Sequence, residues 1–328
     1  MEFDLLNPQI SRVTKSLDNL VITTYGLGGL GKTPVATKMP KPLYLAFGKS
    51  GLSGLNNVPF FPINSWAEFK SINKKICSKK DYEKYHEVYN TIILDEMEVL
   101  WKYLTEYVCQ VNGVNKIKEA NSGYGAWADL KDEWETEMLR LMGSGFCIFF
   151  ILHTAPDDNG RMFPVGDIKR MLPILINHSE IVGYVKGNGV NPETGRPIHS
   201  SLMLAGTDEY FARTRNEYFD PEITDYTADN LIKAYYDALD RQAEAEGIEA
   251  ISKNEKDKMY ETEEIDFEQL MKEVEELGTK LATEKGMEVL TDIVESTLGK
   301  GAKVSQATAK QAQAVKVILM DIKEALND

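Results

Sequence analysis

Short apolar runs without polar interruption recur along the first half of the chain: Leu20-Val21-Ile22-Thr23-Thr24-Tyr25, Leu43-Tyr44-Leu45-Ala46-Phe47, Thr91-Ile92-Ile93-Leu94 and residues 146–152. Runs of four to seven residues that do not alternate predict strands buried on both faces. Between them the period changes. Ser65-Trp66-Ala67-Glu68 is a capping box opening a helix to about Cys77. Trp127, Leu130, Trp134, Met138 and Leu141 recur at three- and four-residue spacing, an amphipathic helix packed on the sheet and closed by Gly143-Ser144-Gly145. Residues 181–185 and 200–204 predict a strand pair around the turn Asn191-Pro192-Glu193-Thr194-Gly195, and Thr227 caps a helix to about Glu246. Residues 112–124 read as a mobile loop. The pattern is that of an α/β domain. It sets three regions: a core over 1–243, a charged linker poor in apolar residues over 244–264, and a helical module over 265–328 with two periodic stretches, Phe267 to Leu281 and Val315 to Leu326.

The first apolar run leads directly into Gly26-Leu27-Gly28-Gly29-Leu30-Gly31-Lys32-Thr33. This G-x-x-x-x-G-K-T pattern, set between a strand and the helix-compatible stretch from Pro34 to Met39, is a phosphate-binding loop. Gly26, Gly28, Gly29 and Gly31 free the backbone to turn its N–H groups onto phosphate oxygens. Lys32 is expected to bridge the β- and γ-phosphates of ATP, and Thr33 to offer its hydroxyl to Mg²⁺. About sixty residues on, Ile92-Ile93-Leu94 ends in Asp95. A buried strand that delivers an acid to the sheet rim behind such a loop predicts a second Mg²⁺ contact, made through water. Glu96 either stabilises the start of the next helix or polarises the attacking water. His153, at the end of the 146–152 strand, is either a satisfied polar residue or a sensor of the γ-phosphate.

Charge narrows the partners. The 328 residues carry a formal net charge of −14, against a surface coated for nucleic acid and for any such contact being local or created by assembly. Lys70, Lys74, Lys75, Lys79, Lys80 and Lys84 lie along the 65–84 region and are either a basic face for nucleic acid or a solvated helix face; the absence of arginine among them favours the second. Arg161, Lys169 and Arg170 sit in the polar stretch 157–170, which is either a DNA-contacting loop or a surface connection. Arg213 and Arg215 follow a strand and either reach a phosphate, in the same chain or a neighbouring one, or are ordinary surface charges. From Arg241 onward 20 acids oppose 12 bases, so the tail is not where DNA is expected. Cys77, Cys109 and Cys147 form neither a zinc spacing nor a disulfide framework, the Met-Glu-Phe-Asp start does not resemble a signal peptide, and no apolar run spans a bilayer. The expectation is a cytoplasmic protein with no membrane contact.

Taken in order, Gly26–Thr33, Thr91–Asp95, Tyr124-Gly125-Ala126-Trp127 opening a helix, Phe149-Ile151-Leu152-His153, Pro164-x-Gly166 and Ala212-Arg213-Thr214-Arg215 resemble the phage-encoded RecA-like P-loop ATPases of the AAA-type nucleotide-binding family, including the Sak-type single-strand-annealing proteins. The resemblance covers roughly residues 18–240. It implies a RecA-like core with a mostly parallel central sheet flanked by helices, the 146–152 strand lying between the other two motif strands; the small C-terminal helical module read from its periodicity lies beyond it. The resemblance also implies ATP and Mg²⁺ and single-stranded DNA as a partner. Within that frame Glu96 is expected to position water, His153 to sense the γ-phosphate and Arg215 to complete the site, in its own chain or across a subunit boundary. A homo-oligomer, ring or filament, acting in phage recombination or replication beside phage single-stranded-DNA-binding or replication proteins, in the host cytoplasm, completes the expectation. One position departs. Relatives often carry an acid just after the second strand, where this chain has Ala46-Phe47-Gly48-Lys49-Ser50. Either Glu96 serves as the base, or hydrolysis is slow or absent and ATP drives assembly as a switch acting through partner proteins.

Overall fold

The computed structural model describes residues 8, 10–48, 54–252, 254–256 and 266–327. It divides into two compact units, Met1–Asp257 and Lys258–Asp328. The strands of the first unit, in chain order, are β1 (Val21–Gly26), β2 (Pro42–Phe47), β3 (Phe60–Ile63), β4 (Thr91–Asp95), β5 (Cys147–Leu152), β6 (Thr154–Pro156), β7 (Met162–Pro164), β8 (Ile181–Lys186), β9 (Ser201–Met203), β10 (Arg213–Thr214) and β11 (Glu222–Ile223). Nine of them form one sheet in the order β11-β9-β8-β1-β5-β4-β2-β3, with β10 also paired to β8; β6 and β7 form a separate hairpin. The pairs β1–β5, β4–β5, β2–β4, β2–β3 and β1–β8 are parallel, and the strands beyond β8 are antiparallel. As the resemblance implies, β5 separates β1 from β4.

The central strands lie between two apolar layers, which is why they read as unbroken apolar runs. One layer holds α2 (Trp66–Ile76), α4 (Met97–Val111), α5 (Trp127–Met142) and α6 (Leu172–His178), the short α3 (Tyr82–Val88) packing beside it; the other holds α1 (Lys32–Ala36) and α7 (Ala228–Glu246). Ser65 Oγ accepts from Glu68 N and Glu68 Oε2 accepts from Asn64 N, a capping arrangement at the head of α2. Thr227 caps α7 through Asn230 N. The indole of Trp134 is fully buried, 6.0 Å from the Trp66 ring and 5.2 Å from Trp101, with its N–H donating to Met171 O. It joins α2, α4, α5 and the segment leading into α6. Trp134→Ala is expected to destabilise the first unit by about 3–5 kcal/mol, the range for emptying a buried aromatic site, read as a lower denaturation midpoint at unchanged slope.

The described residues of the second unit form three helices, α8 (Phe267–Lys285), α9 (Met287–Leu298) and α10 (Ala312–Asn327), with a core drawn from Leu270, Val274, Leu281, Val294, Val315, Ile318 and Ile322. The sequence reading found two of these helices; α9, between Gly286 and Gly299, adds a third. The stretch expected as a linker also differs in part. Ile251 is buried, its N–H donates to Val13 O, and its carbonyl accepts from Lys15 N, so residues 248–252 pack on the N-terminal segment. Residues 253 and 257–264 of that linker lie outside the described residues. The stretch 112–124, expected as a loop, carries two short 3-10 turns, Ile117–Glu119 and Asn121–Gly123.

Candidate active site

The parallel register brings three strand ends to one edge of the sheet. Tyr25 pairs with Leu152 and Leu94 with Phe150, so the chain leaves β1 as the glycine loop, β4 at Asp95 and β5 at His153 side by side. They enclose a cavity of about 470 Å³ lined by residues 28–34, Gly54, Leu55, Asp95, Glu96, Ile151 and His153.

The loop's glycines serve different ends. Gly29 and Gly31 adopt φ of +79° and +87°, which favour glycine. A Cβ on Gly26 would stand 2.7 Å from Val185 O, so this glycine is required by the approach of β8. Gly28 has neither constraint, a correction to the expectation that all four supply unusual backbone angles. The helix after the loop is five residues long, shorter than the Pro34–Met39 stretch suggested and starting earlier, at Lys32. Phosphate binding therefore falls to the loop's own N–H groups and to Lys32 more than to a helix dipole.

Lys32 is buried, its ammonium donating to Gly26 O at 2.9 Å and Leu27 O at 2.8 Å. Burial lowers it below the usual lysine range, against the raising influence of Asp95, Glu98 and Glu96. Thr33 Oγ1 donates to Asp95 Oδ2 at 2.6 Å, and Tyr44 OH donates to the same oxygen at 3.0 Å. Burial holds the Asp95 carboxyl above the usual carboxylate range, although both donors pull it down. Neutral pH lies above the ordinary carboxylate range, where the folded state bears the cost of a buried charge. Asp95→Asn keeps an acceptor for Thr33 and Tyr44 without that charge. It is expected to melt no lower than wild type at pH 7 while losing Mg²⁺-dependent ATP binding, a split that paired melting and titration measurements would resolve.

Two residues here escaped the sequence reading. Glu98, in the first turn of α4, accepts from the His153 backbone N–H at 2.6 Å and lies 3.5 Å from His153 Nδ1. Burial raises its carboxyl, against the His153 donation. Tyr44 orients Asp95 from β2. Neither pattern names its partner: the tyrosine sits in an apolar run and the glutamate on a helix, and only the sheet order joins them to β4 and β5.

Other expected residues fall elsewhere. Arg215 lies beyond β10, whose Thr214 pairs with Ile181, the first residue of β8, so it stands at the opposite edge of the sheet from the glycine loop. Its guanidinium donates to Asn177 O and lies 3.8 Å from Glu180. Arg213 is held by Asn177 O and Ser179 O. The expectation that Arg215 completes the site within its own chain is therefore corrected. Arg161, at the end of the β6–β7 turn, is half-buried with its guanidinium 5.4 Å from the Phe211 ring centre, and Arg170 is held by Asp167 at 3.0 Å. Of the three proposed DNA contacts only Lys169 is fully exposed. The correction has one cause: charge on a polar stretch does not reveal which cations the fold has already engaged. Trp127, expected in the core, is 39% exposed. Lys49 and Ser50, which follow β2, lie outside the described residues.

The donor set suits a P-loop magnesium ion. Among the described residues no group of three or more His, Cys, Asp or Glu side chains gathers as ligands. A hydroxyl and one carboxylate, the rest of the shell coming from water and phosphate, is how Mg²⁺ is commonly held. Thr33 and Asp95 are those two groups, 2.6 Å apart at the cavity wall.

A family model described as an AAA domain matches residues 18–216. The SPbeta prophage-derived uncharacterized protein YorG of Bacillus subtilis (strain 168) is 45% identical over 326 residues, 99% of each chain. Among solved structures, the ATP synthase subunit NeqB from Nanoarcheaum equitans aligns over 94% of this chain and 72% of its own at 12% identity, with a TM-score of 0.33 too low to carry an argument. No helix among the described residues is long and apolar enough to cross a membrane.

Proposed function

The chain belongs to the AAA-domain family of P-loop ATPases, and from that premise we propose that it binds and hydrolyses ATP to drive the annealing or remodelling of single-stranded DNA in phage recombination or replication. The observation that carries the ATPase reading is the cavity wall: its only carboxylates among the described residues are Asp95 and Glu96, lining it together with Lys32 and Thr33.

Thr33 and Asp95 would hold the magnesium ion, which supplies neutralisation of phosphate charge when bound. Lys32 leaves its two carbonyl partners for β- and γ-phosphate oxygens. Glu96, half-buried at the cavity wall, orients a water and takes its proton as the water oxygen bonds to the γ-phosphorus. The bond to the bridging oxygen breaks and ADP leaves. His153, its backbone fixed by Glu98, presents its ring to the transferring group. β2 contributes no carboxylate to the described wall, so the base role falls to Glu96. A subunit of charge −14 attracts DNA weakly on its own; a homo-oligomeric ring or filament would repeat local basic surfaces along one track.

The test is steady-state ATP turnover with and without single-stranded DNA. The proposal expects turnover that rises with DNA. Tight ATP binding with no turnover in either condition would favour the alternative, an ATP-dependent assembly switch acting through partner proteins.

A further inference from the structure

Two segments, residues 115–127 and 167–170, carry exposed aromatic and basic side chains and meet where Arg170 lies over Trp127. Tyr124 is 87% exposed, Trp127 39% and Ile168 67%, values unusual for large apolar groups. The Arg170 guanidinium lies over the Trp127 ring, 4.4 Å from its centre. Lys118 and Lys169 are exposed on the same two segments. Between the 114–118 segment and Trp127 the surface opens into a cavity of about 570 Å³ whose wall includes Trp101, Ile117, Lys118, Trp127, Leu130 and Asp167.

The arrangement is built. Gly125 N donates to Ala120 O and Ala126 N to Ile117 O, which fixes Tyr124 at the tip of a turn. Asp167 accepts from the N–H groups of Lys169 and Arg170 and pairs with the Arg170 guanidinium, so the cation is clamped over the indole. A flat cation on an indole, an outward tyrosine and flanking lysines are what unpaired bases and a phosphate backbone require together: faces to stack on and charge along the strand. A folded duplex hides its base faces, so the surface suits single strands.

We propose that Tyr124, Trp127 and Arg170 form a stacking platform for single-stranded nucleic acid, with Lys118 and Lys169 contacting its phosphates. The inference rests on the DNA reading above; of the cations expected in the 157–170 stretch it keeps Lys169 and Arg170, leaves out Arg161, which is engaged with Phe211, and adds the surface of residues 115–127. It also gives a route to the nucleotide. Val165 N donates to His153 O at 3.0 Å, and five residues later the same segment carries Arg170. A shift of His153 against the γ-phosphate would pull on the segment that positions the platform.

The experiment is a fluorescence-anisotropy titration of the full chain with a labelled oligothymidine of about 20 nucleotides. It compares wild type, Tyr124→Ala, Trp127→Leu and the double charge reversal Lys118→Glu/Lys169→Glu, with melting temperature and DNA-free ATP turnover measured on each. Tyr124→Ala is expected to weaken binding about tenfold, within the range for loss of one stacked base. Its melting and DNA-free turnover should match wild type, since its ring touches solvent. Charge reversal should flatten the salt dependence. Blunt duplex of the same length should bind wild type more weakly than the single strand. Wild-type affinity in both aromatic variants, or equal affinity for duplex, would overturn the platform and leave the proposed function standing. An active wild-type ATPase with no affinity for the oligothymidine would remove the DNA reading and the platform together.

Discussion

Lys32→Ala is expected to weaken ATP binding by about 10²–10⁴-fold. The ammonium is buried among backbone carbonyls at 2.9 and 2.8 Å and stands at the cavity wall with Thr33 and Asp95. Exchanging those carbonyls for two phosphate oxygens makes two charge-assisted hydrogen bonds. Each is worth about 1.5–3 kcal/mol, and every 1.4 kcal/mol is tenfold in affinity. The variant should still fold. Burial already lowers the Lys32 ammonium, so removing the charge relieves a desolvation cost while giving up two loop contacts. Calorimetric titration with ATP, alongside thermal melting, separates these effects. Wild-type affinity in a well-folded variant would mean that nucleotide does not bind at this loop.

The parts legible in the sequence are those where one periodicity is imposed by one environment. β1, β2, β4 and β5 read correctly because burial on both faces keeps their runs apolar apart from threonines and the terminal Asp95. α2 and α7 announced themselves through Ser65 and Thr227. β3 was hidden by Pro62, which a central strand does not tolerate; it is an edge strand, where an unpaired backbone position costs nothing. The glycine loop was legible because its chemistry is contiguous. The Glu98–His153 contact and the Tyr44–Asp95 bond join residues 55 and 51 positions apart, and arise only once β5 and β2 flank β4. Arg161 and Arg215 mark the opposite failure. Sequence locates a cation, but the fold decides whether an aromatic ring, a carboxylate or a carbonyl has already engaged it.

Glu96→Gln is expected to leave ATP affinity within about threefold of wild type and to lower turnover by about 10²–10⁴-fold, the scale of general-base loss. The amide matches the carboxylate in shape and still offers an oxygen to water, but cannot take its proton. Glu96 and Asp95 share the wall, yet their variants should differ: Asp95→Asn loses metal-dependent binding, whereas Glu96→Gln binds and stalls. Rapid-quench single-turnover kinetics distinguishes the two, because a bound, uncleaved nucleotide persists only in the second. Turnover at the wild-type rate in Glu96→Gln would exclude Glu96 as the base and direct attention to a carboxylate outside the described residues or on a neighbouring subunit.

The central claim is that the Gly26–Thr33 loop and Asp95 recognise the polyphosphate of ATP together with magnesium. The most direct test is a calorimetric titration of the full wild-type chain with ATP, ADP and AMP, each with and without Mg²⁺. The account predicts saturable binding of ATP that tightens with Mg²⁺, weaker binding of ADP, and no measurable binding of AMP, which lacks the phosphates that Lys32 and Thr33 address. Equal affinity for AMP and ATP, or ATP binding indifferent to Mg²⁺, would contradict it.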